Sequence, residues 1–415
     1  MRICFLATRL SGTDGVSLET AKWASVLART GNETFYVAGE LSGFASKGLR
    51  VPQMHFANDV VINIQNRMFN DLEISNSENL LNSIKKIALE LKKSIKEYLL
   101  FNHIEVLIIE NALAIPMNIP LGIALMNLIS ELNIPTIAHH HDFYWERDRF
   151  NACVFPEILA DNFPGEFANM KHVTINSLAQ KSLKNRKNID STVIPNVYDF
   201  SIPTPGIDSY NCDLRNELGF SPKEPLILQP TRVIERKGIE FAIELVHKLN
   251  LRKPRLIISH AVGDEGNEYM HWLKNMANDL HVSIEIVNDK IQEHRGFSDG
   301  NKIYSLGDIY LNADFITYPS KYEGFGNALL EAIYFKRPML INCYPVYNID
   351  IKPKGFHFVE INNNIDSLVV DDVRRIIQSP ESWKEIGEQN FEIAHDNYSY
   401  EILESLLKDF IDEFK

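Results

Sequence analysis

The sequence predicts a two-domain α/β protein in which each domain is a parallel sheet sandwiched by helices. Three observations carry that prediction. A chain of 415 residues exceeds what one ordinary core fills and suits two domains of about 200 residues each. Short, near-continuous apolar runs recur between helical patterns, at 2–8, 33–38, 105–110 and 135–141 in the first half and at 226–228, 255–259, 315–318 and 338–341 in the second. Runs of that kind suit strands buried on both faces. Glycine-bearing loops follow the first strand and the strand at 315–318, at the sheet edge where open α/β folds bind ligands.

Composition narrows the function. Hydrophobic residues make up 45% and charged residues 23%, an ordinary globular balance, and no apolar run reaches the length of a membrane span. The opening MRICFLATRL lacks a small-residue cleavage site and reads as a first buried strand, not a signal peptide. Cys4, Cys153, Cys212 and Cys343 are scattered without CxxC spacing, which argues against a zinc site or a disulfide framework and fits a cytoplasmic protein. A net charge of −13 disfavours nucleic acid, and an anionic ligand would need cations concentrated locally.

Along the first half, the strand at 2–8 feeds a loop at 11–17 that carries Gly12 and Gly15, and a helical pattern follows at 18–27. The loop is not GxGxxG and no acidic residue follows where a dinucleotide site wants one, so NAD is disfavoured. A plain βα connection stays open as an alternative. Residues 78–99 place Ile84, Ile87, Leu91, Ile95 and Leu99 at helical spacing, with lysines elsewhere. That pattern fits a solvated outer helix better than one lying on an anionic bilayer, although peripheral membrane contact stays open. The strand at 135–141 ends in His139, His140 and His141, followed by Asp142, Phe143, Tyr144 and Trp145. Alternation lets only His139 and His141 share a face, and no Cys or Glu at ligand spacing completes a metal set, so no metal is expected. A strand and turn at 173–177 and a strand at 191–197 close the domain, and 198–224, poor in apolar runs, reads as a linker.

In the second half, Arg232 and Lys237 follow the strand at 226–228 and stand beside a helix start at 238–239, an arrangement suited to a pyrophosphate. A further loop, His260 to Asp264, leaves the same edge. The stretch ADFITYPSKYEGFGNALLEA, 313–332, is the centre of the chain. It reads as a strand, a glycine turn with Gly324 and Gly326, and a helix opening at Asn327. Free N–H groups and the partial positive charge of that helix start suit a phosphate or diphosphate. Glu323 and Glu331 flank the turn eight positions apart, where both can face one cavity and accept bonds from sugar hydroxyls. From the residues alone, a generic βα turn with two incidental glutamates remains equally open.

The run Glu323 to Glu331 resembles the glutamate-x7-glutamate signature of retaining GT-B-type glycosyltransferases, specifically the large family 4. The segment LILQPTRVIERKGIE at 226–240, the loop at Gly15, the His141-Asp142 strand end and the crossing near 191–197 resemble that family too, so the likeness spans the chain. It implies a GT-B fold, two Rossmann-like domains facing each other across a cleft. The expected boundaries are 1–200 for an acceptor-side domain and 201–395 for a nucleotide-sugar domain, with a C-terminal helix at about 396–415 packing back on the first. It implies hexosyl transfer from a UDP- or GDP-linked sugar to a hydroxyl acceptor with retention, without a metal or other cofactor. The resemblance also implies front-face attack, and no second carboxylate pair for a double displacement is evident.

Carried over residue by residue, the resemblance makes His141, Arg232, Lys237 and Glu323 catalytic. Gly15, Arg232, Lys237, Glu323, Gly324, Phe325, Gly326, Asn327, Ala328, Leu329 and Glu331 would bind the donor. His141 would touch the transferred sugar, with His139 as a second candidate. Asp142, Tyr144 and Trp145, with His139, fall on the acceptor side, which expects a sugar, sugar phosphate, glycan or glycerate-like molecule. Two departures from the family pattern stand out, the long polar stretch 284–307 and Cys343-Tyr344-Pro345-Val346-Tyr347 in place of a glycine pair. A nucleotide-sugar epimerase, a phosphorylase and a catalytically silent nucleotide-sugar-binding protein remain the alternatives.

Overall fold

The computed structural model describes residues 1–12, 14–70, 77–261 and 267–414. The chain forms two compact units, Met1–Val197 with Tyr400–Lys415, and Tyr198–Ser399. Each is a Rossmann-like α/β unit built on one parallel sheet.

Unit 1 carries β1 (Arg2–Ala7), β2 (Glu33–Ala38), β3 (Leu49–Arg50), β4 (Val106–Glu110), β5 (Thr136–His140), β6 (Met170–Thr174) and β7 (Ser191–Val193), in the spatial order β3-β2-β1-β4-β5-β6-β7. Both faces are covered. Trp23 and Leu27 of the helix Gly15–Arg29 share one core with Leu403, Leu407 and Phe410 of the terminal helix Tyr400–Asp412. Each fully buried leucine there contributes about 1.5–3 kcal/mol, enough to fasten the end of the chain onto unit 1. On the opposite face Leu91, Ile95 and Leu99 of the helix Ser77–Phe101 meet Leu121, Leu125 and Leu128 of the helix Ile119–Leu132. Lys92 and Lys96 of the helix Ser77–Phe101 pair with Glu131 of the helix Ile119–Leu132, so two of the lysines are held by protein carboxylate.

Unit 2 carries β8 (Ile227–Gln229), β9 (Arg255–Ile258) and β10 (Ser283–Ile286), then a small sheet of β11 (Ile291–Gln292), β12 (Gly296–Ser298) and β13 (Asn301–Ser305). β14 (Phe315–Tyr318), β15 (Met339–Asn342) and β16 (Val359–Ile361) complete the main sheet, ordered β10-β9-β8-β14-β15-β16. The polar stretch 284–307 thus runs from the end of β10 through the small sheet and its turns into the helix Leu306–Asn312.

The linker reading of 198–224 is corrected. This segment is built into unit 2 through polar anchors. Thr204 Oγ1 donates to the Tyr334 carbonyl, Asn211 Nδ2 to Asp308, and Arg215 to both the Asn312 carbonyl and Asp314. Few apolar residues were needed, so periodicity gave no sign of it.

In both sheets the strand order reverses once, between β1 and β4 in unit 1 and between β8 and β14 in unit 2. Strand C-termini on either side of such a reversal diverge and leave a crevice for ligands. Gly15, Glu110 and the histidines emerge at the first reversal, and the loops with Arg232, Lys237 and Glu323 at the second.

Candidate active site

In unit 2 the loops after β8 and β14 are fastened together, and two glycines permit it. Gly238 has φ +62, and a Cβ on it would stand 2.4 Å from the Pro319 carbonyl oxygen. Gly326 has φ +120, and its Cβ would stand 2.5 Å from the Tyr318 hydroxyl. Only glycine tolerates both the backbone angle and the approach. With the loops this close, the Lys321 N–H donates to the Arg236 carbonyl at 2.8 Å. Arg236 Nη1 reaches Glu323 Oε2 at 2.7 Å and the Tyr322 carbonyl at 3.2 Å, and Lys237 Nζ pairs with Glu323 Oε1.

Glu323 is 5% exposed. Burial alone would raise its carboxyl, but the charges of Lys237 and Arg236 outweigh it and hold the group at about 2. Lys237 is pulled below the usual lysine value by burial, with Glu323 opposing. A buried carboxylate that lost one such partner would be destabilised by about 3–5 kcal/mol. The cluster is therefore a fixed charge assembly, placed just ahead of the helix Asn327–Tyr334 and its positive end.

The remaining donor-side candidates are placed as follows. Arg232 is exposed, with no ion pair to a described residue; its charge, with that of Lys237, adds to burial in holding His260 at about 4. Gly324 lies in the turn and Asn327 and Ala328 in the first helical turn, whereas the Leu329 N–H donates to the Gly326 carbonyl at 3.1 Å. Phe325 is a core side chain packed edge-on against Tyr398, and its carbonyl accepts from the Tyr344 hydroxyl at 2.6 Å. The CYPVY substitution thus braces the glycine turn from behind. Glu331 accepts from the Tyr310 hydroxyl at 2.9 Å. Val262, Gly263 and Asp264 of the expected ligand-facing loop, and Thr13 of the N-terminal loop, lie outside the described residues.

In unit 1, Gly15 opens its helix under the Asp14 cap, and nothing lies within 4 Å of where its Cβ would be. As alternation requires, His139 and His141 turn to one side and His140 to the other, where it meets His172 at 3.0 Å. His139 Nδ1 and His141 Nε2 converge on one atom, Glu110 Oε2, at 2.9 and 3.1 Å. The expectation that no Glu joins the histidines is corrected. Glu110 ends the neighbouring strand β4, paired in register with His139, and sequence spacing cannot show a partner supplied by a different strand. Among the described residues these three are the one His/Cys/Asp/Glu group with donor atoms within 4.8 Å of one another.

Burial opposes ionisation at all three. Glu110 is nevertheless held at about 2 by the two histidines, and His141 is raised because its bond to Glu110 outweighs burial. His139, 1% exposed and stacked under Trp23 at 4.2 Å, is lowered by burial. His139, the second candidate for touching the sugar, is thus a buried side chain bonded to Glu110. Asp142 is engaged by Asn111 Nδ2 at 2.8 Å and by Arg147. Trp145 stacks on Phe143 and donates to Ser182 Oγ at 2.9 Å, and Tyr144 packs edge-on against Trp145.

Sequence reading missed Arg236, Glu110, Asn111 and Tyr310. Arg236 adjoins Lys237 and was visible as a third cation; the other three act across strands or helices and left no local signal. An open pocket of about 390 Å³ is lined by Val233, Ile234, Glu235, Glu240, Glu268, Tyr269, Trp272 and Lys321, not by any of the candidate residues.

The geometry defines a two-unit α/β protein with a cation-held glutamate ahead of a helix N-terminus, and comparison with known proteins gives its family. Residues 212–392 match the model of "Glycosyl transferases group 1". Two relatives named mannosylglucosylglycerate synthase are each 33% identical, one from Petrotoga mobilis over 88% of both chains, the other from Thermotoga maritima over 98% of this chain and 99% of its own. The chain belongs to the group 1 glycosyl transferases. Similar folds, at low identity, are found in Anabaena Alr3699/HepE in complex with UDP (TM-score 0.66, 14% identity, all of both chains) and in sucrose-phosphate synthase from Thermosynechococcus elongatus (TM-score 0.70, 12% identity, 99% and 98%). It is a glycosyltransferase of the GT-B type with a role in carbohydrate biosynthesis. Among the described residues no helix is long and apolar enough to cross a membrane.

Proposed function

We propose that this glycosyltransferase moves a hexose, with retention, from a UDP- or GDP-linked donor to a hydroxyl of a small polar acceptor. The observation that carries the reading is Glu323 fastened between Lys237 and Arg236 immediately ahead of the helix at Asn327. The names of the two relatives support an acceptor of the glycosylglycerate class. Cytoplasmic location belongs to the same proposal and draws on four unpaired cysteines.

In this reading Arg232, Lys237 and the amides of Asn327 and Ala328 take the charge that grows on the leaving diphosphate. Charges fixed beforehand stabilise that developing charge more than the ground state and so lower the barrier. A carboxylate offers about four lone-pair directions, so Glu323 keeps capacity for donor hydroxyls beside its two cations. Glu331 holds the ribose hydroxyls, and His141 touches the transferred sugar. The bond from the anomeric carbon to the diphosphate oxygen breaks, the acceptor oxygen bonds the same face, and its proton passes to the leaving phosphate oxygen. Cationic side chains and a helix terminus serve the leaving group, so the reaction runs without a metal.

The test is incubation with UDP-, GDP- and ADP-hexoses plus a glycerate-type acceptor, with products read by mass spectrometry. Transfer of one hexose from one donor is expected. Release of a 2-epimer without acceptor, phosphorolysis, or tight nucleotide binding without turnover would replace the reading with one of its alternatives.

A further inference from the structure

We propose that Glu110 is the positioning residue of His141: one carboxylate oxygen, shared by His139 Nδ1 and His141 Nε2, fixes the His141 ring so that Nδ1 is the nitrogen offered to a ligand. The inference rests on the reading of His141 as a group that touches the transferred sugar.

The geometry leaves the ring little freedom. Glu110 is fully buried at the end of β4, and its other oxygen, Oε1, has no partner among the described residues. His139 is pinned on its far side by Trp23 and serves as the second clamp on Oε2. The His141 backbone is held as well, since its N–H donates to Asn111 Oδ1 at 3.0 Å, and Asn111 at the same time binds Asp142. Asn111 adopts φ 57, a left-handed angle that asparagine tolerates better than most residues and that aims both ends of its amide at 141–142. With Nε2 committed to Glu110, no hydrogen bond ties Nδ1 to any described residue, and the side chain is 10% exposed. A carboxylate that accepts from one imidazole nitrogen selects the tautomer and sets the direction of the other. The last residue of β4 and the one after it thus present the residue that follows β5.

An orienting carboxylate in a serine-protease triad is worth about 10⁴-fold because its histidine moves a proton. His141 only contacts the sugar here, so Glu110→Gln is expected to lower kcat by about 10- to 100-fold, with donor KM changed by less than about threefold. The structural readout is independent of activity: histidine-selective ¹⁵N NMR, with His141→Asn for assignment, should find His141 protonated at Nε2 in the wild type and a tautomer mixture in Glu110→Gln. A folded Glu110→Gln enzyme with unchanged kcat would overturn the inference. So would a wild-type His141 unprotonated at Nε2, or one equivalent of divalent metal bound by the wild type and lost in Glu110→Gln. A wild type inert to every nucleotide sugar would defeat the functional reading instead, and the NMR result would still decide the role of Glu110.

Discussion

The two units solve one electrostatic problem with different side chains. Each carries a buried glutamate at the reversal of its sheet, clasped by two basic groups: Glu323 by Lys237 and Arg236, Glu110 by His139 and His141. Both carboxyls are held at about 2 against the pull of burial. Lysine and arginine are permanent cations near neutral pH, whereas imidazole charges and discharges there. The unit 2 cluster is therefore suited to a constant load such as a diphosphate. The unit 1 cluster is suited to orienting a ring whose charge follows pH.

Lys237→Ala should break the unit 2 side most severely. Loss of one preorganised donor to developing charge typically costs about 10²–10³ in kcat. Near-normal kcat/KM would remove Lys237 from the leaving-group site. The cluster's stability would suffer too, since of its two cations Glu323 would keep only Arg236.

Acid should separate the units next. A carboxyl lowered from 4.5 to about 2 contributes stability that is complete above 4.5 and lost as pH falls towards 2, about 3 kcal/mol for each of Glu323 and Glu110. Buried histidines add a further loss as pH falls from 6.5: His172 in unit 1 and His260 in unit 2, each lowered to about 4, and in unit 1 also His139 and His140, both lowered by burial. His141 is shifted the other way, so its contribution is complete below 6.5 and fades as pH rises through its raised value. Hydrogen exchange by peptide should show unit 1, with three lowered histidines, loosening at a higher pH than unit 2, which has His260. Simultaneous loosening would contradict the contrast.

Gly238→Ala tests how the loops are joined. A left-handed angle and a 2.4 Å approach to Pro319 together predict destabilisation of about 1–3 kcal/mol, seen as a lower Tm and weaker nucleotide binding. An unchanged Tm would mean the loops are not held by that contact. The smallest effect is expected from Tyr344→Phe, which removes one hydrogen bond to the Phe325 carbonyl and about 1 kcal/mol. A loss of activity beyond a few-fold would show that the CYPVY segment touches substrate.

The contrast also governs what could be read from the sequence. Unit 2's cluster is built from two contiguous loops, so Lys237, Glu323 and both glycines stand out as local patterns, and the alternation of apolar runs gives the sheets. Unit 1's cluster spans β4 and β5. The histidines were visible and their shared face followed from strand alternation, but Glu110 looked like the polar end of an apolar strand. Register between parallel strands, which pairs Glu110 with His139, is a tertiary property. The anchoring of 198–224 was hidden for a similar reason, because hydrogen bonds to distant residues leave no periodicity.

The most direct measurement is paired turnover of wild type and Lys237→Ala with the single nucleotide-hexose the enzyme accepts, nucleoside diphosphate release and acceptor mass being followed together. The account predicts one added hexose per diphosphate released by the wild type, and a rate at least about 100-fold lower in the variant. Equal rates in the two proteins, or diphosphate release with no mass gained by any hydroxyl acceptor, would contradict it.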